Sequence, residues 1–264
     1  MAKKNVWLTW MPRGDIACDP EQHIGLLNQY GFGVSGNYWI NDLKKMAWTE
    51  LANKLIDASG PDLWIIAGNQ EDFESDHNRY GLSMVTATVS EVRDVPLQGI
   101  CLGMDFDPAY EAMPTLLRSF ECMSGMDAGW PSKVVSAAYK KQNPKNCHDF
   151  RFTVIAHPML GQWFEIGPRG ESWTSAMLGV SDESSITHHA VGERGQLPEH
   201  SLLEYPTEGI QAKLGEDAYT AWSVQNSLNI NQSYFAKVEG FPRSVIIGSH
   251  PGDNTAEVSR IDLM

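Results

Sequence analysis

The sequence predicts an α/β protein, a mostly parallel sheet flanked by helices and followed by a strand-rich C-terminal half. Three observations carry this. Short apolar runs at 5–10, 33–40, 63–67 and 95–101 are separated by helix-length segments. That alternation is the mark of parallel strands joined by right-handed crossovers. The third run, Leu63-Trp64-Ile65-Ile66-Ala67, is apolar throughout, as a strand covered on both faces must be. Near residue 145 the texture changes to strand-like runs broken by Gly- and Pro-containing turns. The boundaries read as an α/β core over 1–145 and a strand-rich extension over 146–264, packed on the core and supplying the closing strands.

Each element has a local reason. Residues 5–10 are short, apolar and Trp-rich, and a turn with Pro12, Gly14 and Asp15 follows. Pro20 to Tyr30 forms a helix with Ile24, Leu26 and Leu27 inward, and Gly31 ends it. Gly33 to Ile40 is the second strand. In 42–58, Leu43, Met46, Ala47, Leu51, Leu55 and Ile56 recur mostly at spacings of three and four, with Asn41 or Asp42 as N-cap and Gly60-Pro61 as stop. Residues 79–92 have the length and place of a helix, but Val85, Thr86, Thr88 and Val89 favour a strand. Val95 to Cys101 is the fourth strand. Beyond it, helices are expected at 114–121, 132–141 and 215–229, the last with Ala218, Ala221, Trp222 and Val224 inward. Strands are expected at 150–157, 162–166, 172–180, 185–191, 234–238 and 244–248, and a loop at 194–209.

Lys and Arg total 20 against 33 Asp and Glu, a formal net charge of -13. Such a surface repels phosphate backbones and anionic lipid. Lys140-Lys141 with Lys145 is the one weak basic cluster, and a solvated loop accounts for it. Nucleic-acid and membrane binding are therefore not expected, which leaves a small-molecule substrate or a protein partner. The run Val6–Trp10 is too short for a signal-peptide core, and no apolar stretch has the length of a membrane span. The expected location is cytoplasmic. Cys18, Cys101, Cys122 and Cys147 show no CxxC pairing and read as free thiols. No Walker loop or dinucleotide fingerprint is present, and no cofactor is implied.

The most informative string is Gly99-Ile100-Cys101-Leu102-Gly103. A glycine two residues to each side of a nucleophile lets a strand turn sharply, raises the side chain clear of the sheet and aims the next backbone N–H at a developing oxyanion. A thiolate suits that role at neutral pH. The competing reading is a buried cysteine at the end of an apolar strand.

This string resembles the nucleophile elbow of the class I glutamine amidotransferases, and Pro61-Asp-Leu-Trp-Ile-Ile-Ala-Gly68 resembles that family's strand and glycine turn beside the oxyanion hole. Val245-Ile-Ile-Gly-Ser-His250-Pro251 resembles the strand and His-Pro pair that supply its histidine. The resemblance implies a flavodoxin-like sheet and a cysteine-dependent hydrolase acting on an amide or ester. Cys101 would attack the carbonyl carbon and His250 would deprotonate the thiol. Backbone N–H groups at Leu102 and near Asn69, in the Gly68-Asn69 turn, would hold the oxyanion. The family's glutamate two residues after the histidine is Gly252 here, which leaves Asp253 or Glu257 to orient the imidazole.

Other constellations are weaker. His188-His189 with His157 and His200 offers zinc-ligand atoms, but adjacent strand residues face opposite sides and a metal site is not expected. Asp105 and Asp107 follow the fourth strand, and Glu71, Asp72, Glu74 and Asp76 follow the third; solvated loop acids account for both groups. Trp7, Trp10, Trp39 and Trp64 read as core, whereas Trp163 and Trp173 are candidates for a binding surface. The reading that competes with a hydrolase is a non-enzymatic binding or interaction module on the same fold, with Cys101 merely buried.

Overall fold

The computed structural model describes residues 3–11, 19–57, 60–93, 97–140, 149–181, 184–250 and 257–264. The chain divides into two units, Met1–Pro144 and Lys145–Met264. Among the described residues no sheet takes strands from both.

The first unit runs β1 (Asn5–Trp10), α1 (Pro20–Gln29), β2 (Gly33–Tyr38), α2 (Trp48–Ile56), β3 (Leu63–Gly68), α3 (Gln70–Glu74), α4 (Asp76–Val92), β4 (Gln98–Gly103), β5 (Glu121–Ser124) and α5 (Trp130–Tyr139). Its five strands are all parallel, in the order β2-β1-β3-β4-β5. Strand alternation splits the side chains between two faces. Val6, Leu8, Ile65, Ile100, Leu102 and Met123 pack with Leu27 of α1 and Trp130 and Val134 of α5. The intervening Trp7, Thr9, Trp64, Ile66 and Cys101 point to the opposite face. There Trp64 Nε1 donates to Thr9 Oγ1 (2.9 Å), Thr9 Oγ1 donates to Asn37 Oδ1 (3.2 Å), and Trp7 Nε1 donates to the same oxygen (2.9 Å).

Local chemistry explains the elements. Asp19 caps α1 by accepting from Glu21 N (2.8 Å), and Pro20 opens its first turn. The helix expected from residue 42 begins only at Trp48. Asp42 instead accepts from Lys45 N in a local turn (3.1 Å), and Met46 takes a left-handed φ of 52°. The ambiguous 79–92 segment is helical, as part of α4. Thr86 and Thr88 donate back to the carbonyls of Leu82 and Met84 (2.8 and 2.9 Å), so their hydroxyls are satisfied within the helix. The helix expected at 114–121 is a single 3-10 turn, Thr115–Leu117, and Glu121 already opens β5.

The second unit consists of β6 (Phe150–His157), β7 (Gly161–Pro168), β8 (Ala176–Ser181), β9 (Ser185–Glu193), β10 (Thr207–Leu214), β11 (Asp217–Val224), β12 (Gln232–Glu239), β13 (Ser244–Gly248) and β14 (Val258–Asp262). They form two antiparallel sheets, β10-β11-β8-β13-β14 and β6-β7-β12-β9. This overturns the expectation of a mostly parallel, flavodoxin-like sheet flanked by helices. The parallel sheet holds only five strands of the first unit, and the antiparallel sheets hold five and four.

The largest local error lies at 215–229. The helix expected there is β11, paired with β10 through the two-residue loop Gly215-Glu216. Gly215 takes the positive φ (65°) that such a loop asks of its first central residue. Ala218, Ala221, Trp222 and Val224 fit a helical stripe. Ala221 and Val224 are buried as expected, but Ala218 is exposed and Trp222 half-buried, and the strand buries the period-two set Tyr219, Ala221 and Ser223 together with Val224, with Tyr219 and Ala221 packed against Met177 and Ile246.

Beneath the other sheet of this unit lies a buried polar network. Arg151 donates to the carbonyls of Ile230 (2.6 Å) and Gln232 (2.8 Å) and to Ser233 Oγ (3.0 Å). Ser233 and Gly195 N both donate to Glu165 Oε1 (2.7 and 2.8 Å).

Candidate functional site

Cys101 lies inside β4 rather than at its end. The strand runs on through Leu102 and Gly103, which pair with Ala67 and Gly68 on one side and with Met123 and Ser124 on the other. The residue is 0% exposed. Its backbone is ordinary extended chain, since Met46 and Tyr205 are the non-glycine residues with positive φ among the described residues. The flanking glycines have packing reasons. A Cβ on Gly99 would stand 2.2 Å from the Phe120 ring, and one on Gly103 would stand 2.4 Å from the Phe106 carbonyl oxygen. They make room for neighbours; they do not lift a nucleophile out of the sheet.

The side-chain partner of Cys101 is Cys122, its register mate on β5. The hydrogen bond to Cys122, together with burial, pushes the Cys101 thiol well above its ordinary range. The same bond holds the Cys122 thiol below it, against opposing effects of burial and the Glu111 charge. Of the two sulfurs, the one at the edge strand has the stronger thiolate character.

The expected oxyanion donors are near one another but engaged. Gly68 and Leu102 sit on adjacent strands at the same end of the sheet. With strands on both sides, the Leu102 N–H faces a ladder partner. Asn69 N donates to Asp72 Oδ2 (3.0 Å), and Gln70 N donates to Asp105 Oδ1 (2.9 Å). Two of the acids read as solvated loop residues thus serve as caps, and their carboxylates occupy the donors an oxyanion would need.

His250 belongs to the second unit. Its backbone N–H donates to Ser175 Oγ (2.9 Å), and its Nδ1 hydrogen-bonds the hydroxyl of Ser223 (2.7 Å), a wholly buried residue of β11. The nitrogen to which an orienting acid would bond is therefore taken by a serine. Asp253 lies outside the described residues.

Sequence reasoning missed two features. On the first unit, Trp7, Asn37, Tyr38, Trp39, Ile40 and Leu51 line an open groove, together with Glu50 and Lys54. Tyr38 and Ile40 are exposed there, at 65% and 56%. Trp7, read as core, is half-buried and forms part of the wall. On the second unit, His189 Nδ1 hydrogen-bonds the Tyr234 hydroxyl (2.9 Å), and Nε2 stands 3.7 Å from Glu208 Oε1. Trp222 meets the ring edge-on, with centroids 4.9 Å apart. Burial holds this imidazole below the usual histidine range, partly offset by Glu208, and pushes the Tyr234 phenol up. The adjacent His188 is exposed on the other face. Among the described residues no group of three or more His, Cys, Asp or Glu could hold a metal ion.

Lys140, the described member of the basic cluster, pairs with Glu121 (3.0 Å). Among the described residues no helix is long and apolar enough to cross a membrane.

No protein-family model matches the chain, and no curated protein matches it.

Proposed function

We propose that this chain is a non-enzymatic binding module that takes an extended segment of a protein partner along β2, beside the aromatic groove. The observation that carries this is the open edge of β2. Among the described residues the strand ends the sheet order and pairs on one side only, with β1. Gly33 N and Trp39 N donate to Lys4 O (2.9 Å) and Trp10 O (2.8 Å) of the β1 segment. By alternation Val34, Gly36 and Tyr38 turn their N–H and C=O groups outward, the Tyr38 carbonyl accepting from Asn37 Nδ2 (2.9 Å). Edge strands are ordinarily guarded by Lys, Pro or a bulge. The β2 sequence Gly-Val-Ser-Gly-Asn-Tyr holds no charge and no proline, and its register with β1 is unbroken. An added strand would gain main-chain hydrogen bonds there, while Tyr38, Ile40 and Trp7 offer apolar contact for alternate side chains.

The hydrolase built on Cys101 and His250 is the reading this proposal replaces. It asks for an accessible thiolate and free oxyanion donors, whereas Cys101 is enclosed and the neighbouring donors are capped by Asp72 and Asp105. The test is a selection of extended peptides against the native chain, repeated with Val34→Pro and Tyr38→Ala. Val34→Pro removes an outward donor and leaves the β1 ladder intact, so peptide affinity should fall by at least about tenfold. Peptides that bind both variants as tightly as the parent would overturn the proposal. So would turnover of an amide or ester that is abolished by Cys101→Ala.

A further inference from the structure

We infer that Cys101 and Cys122 form a reversible thiol–disulfide pair, with Cys122 as the sulfur that meets the oxidant and Cys101 as the resolving thiol. The two are register mates on neighbouring parallel strands and share one face of the sheet. Directly opposed residues on adjacent strands stand about 4.8 Å apart, inside the Cα separation of about 4.4–6.8 Å that a disulfide spans. Each thiol is the largest influence on the acidity of the other. Both cysteines are free.

Their exposures differ in the way such a pair requires. Cys101 is enclosed, out of reach of solvent oxidants. Cys122 is half-buried on β5, the last strand in the sheet order, so its thiol is not shut off from solvent as that of Cys101 is. Partial exposure with enhanced thiolate character, next to a second thiol, describes a redox-sensing cysteine. An edge strand is also free to shift on its outer side as the bond forms.

The chemistry closes with hydrogen peroxide as oxidant. The Cys122 sulfur attacks one peroxide oxygen, the O–O bond breaks, and the departing hydroxide takes a proton to become water. Cys122 then carries the hydroxyl as a sulfenic acid. The Cys101 sulfur displaces it, the hydroxyl leaves with the Cys101 proton as a second water, and the S–S bond forms. The dithiol loses two electrons and the peroxide gains two. A small-molecule dithiol reverses the change.

The experiment uses the full chain, treated with hydrogen peroxide, blocked with N-ethylmaleimide and digested without reduction. Mass spectrometry should find the peptides of Cys101 and Cys122 joined, two hydrogens lighter than their sum, and separated by dithiothreitol. In Cys122→Ser the loss of the Cys101 thiol should slow by at least about tenfold. In Cys101→Ala a dimedone adduct should accumulate on Cys122. The wild-type digest needs no variant to fold. Recovery of both residues as thiols overturns the inference, as does joining of Cys122 to Cys18 or Cys147, or equal oxidation of Cys101 with and without Cys122.

Discussion

Cys101 and Thr9 show how a wholly buried polar side chain is made tolerable in a sheet. Thr9 is 0% exposed, and its hydroxyl accepts from Trp64 while donating to Asn37. Thr9→Val keeps the shape but strands the buried Trp64 N–H, and should cost the first unit about 1–3 kcal/mol, measurable by denaturant unfolding followed at tryptophan. Cys101 has the Cys122 thiol as its polar neighbour. Iodoacetamide applied to the native, reduced chain should therefore modify Cys122 well before Cys101; prompt labelling of Cys101 would contradict its enclosure. His189 carries a pH dependence. Burial lowers its folded-state affinity for a proton below that of the unfolded chain, so the unfolded state binds the proton more readily. Stability should be fully present above the ordinary value of 6.5 and decline as pH falls through it, and His189→Gln should flatten that slope in thermal melts at graded pH. The string around Cys101 was legible as a strand. Its glycines were not legible as packing, because Phe120 and Phe106 reach them only once the chain is folded.

At the scale of elements, periodicity decided what packing did not contest. The runs at 5–10, 63–67 and 150–157 are β1, β3 and β6 to within a residue. The β11 segment failed because its apolar residues satisfy both a helical and a two-residue period, and only pairing with β8 and β10 selects the second. The 42–47 stretch failed for a local reason, the Asp42 turn. The β2 edge gives the element-scale prediction. Val34→Pro should leave the circular-dichroism spectrum and melting of the chain nearly unchanged, since an outward N–H on an edge strand has no ladder partner to lose. A large loss of structure would show that the outward donors of β2 are already engaged. The candidate site was least legible of all. The groove joins residues 7, 37–40 and 51, which share no motif, and the Cys101–Cys122 pair exists only because β4 and β5 lie side by side.

For the whole molecule, the division at Pro144 and Lys145 matters most. Each unit closes its own sheets, so residues 1–144 and 145–264 produced separately should each retain secondary structure, with circular-dichroism spectra that sum to that of the full chain. Failure of either fragment to fold would show that its core depends on the other. The formal charge of -13 belongs to this scale too, and it disfavours polyanionic partners whatever the fold. By itself the sequence determined the parallel β/α alternation of the first unit, the strand-rich character of the second, and the acidity of the surface, because these follow from local period and composition. Only the tertiary structure decided that Cys101 is enclosed, that Cys122 stands beside it, and that β2 comes last in the sheet order of the described residues. Each of these depends on which strands become neighbours, and strand neighbourhood is set by contacts between residues far apart in the chain.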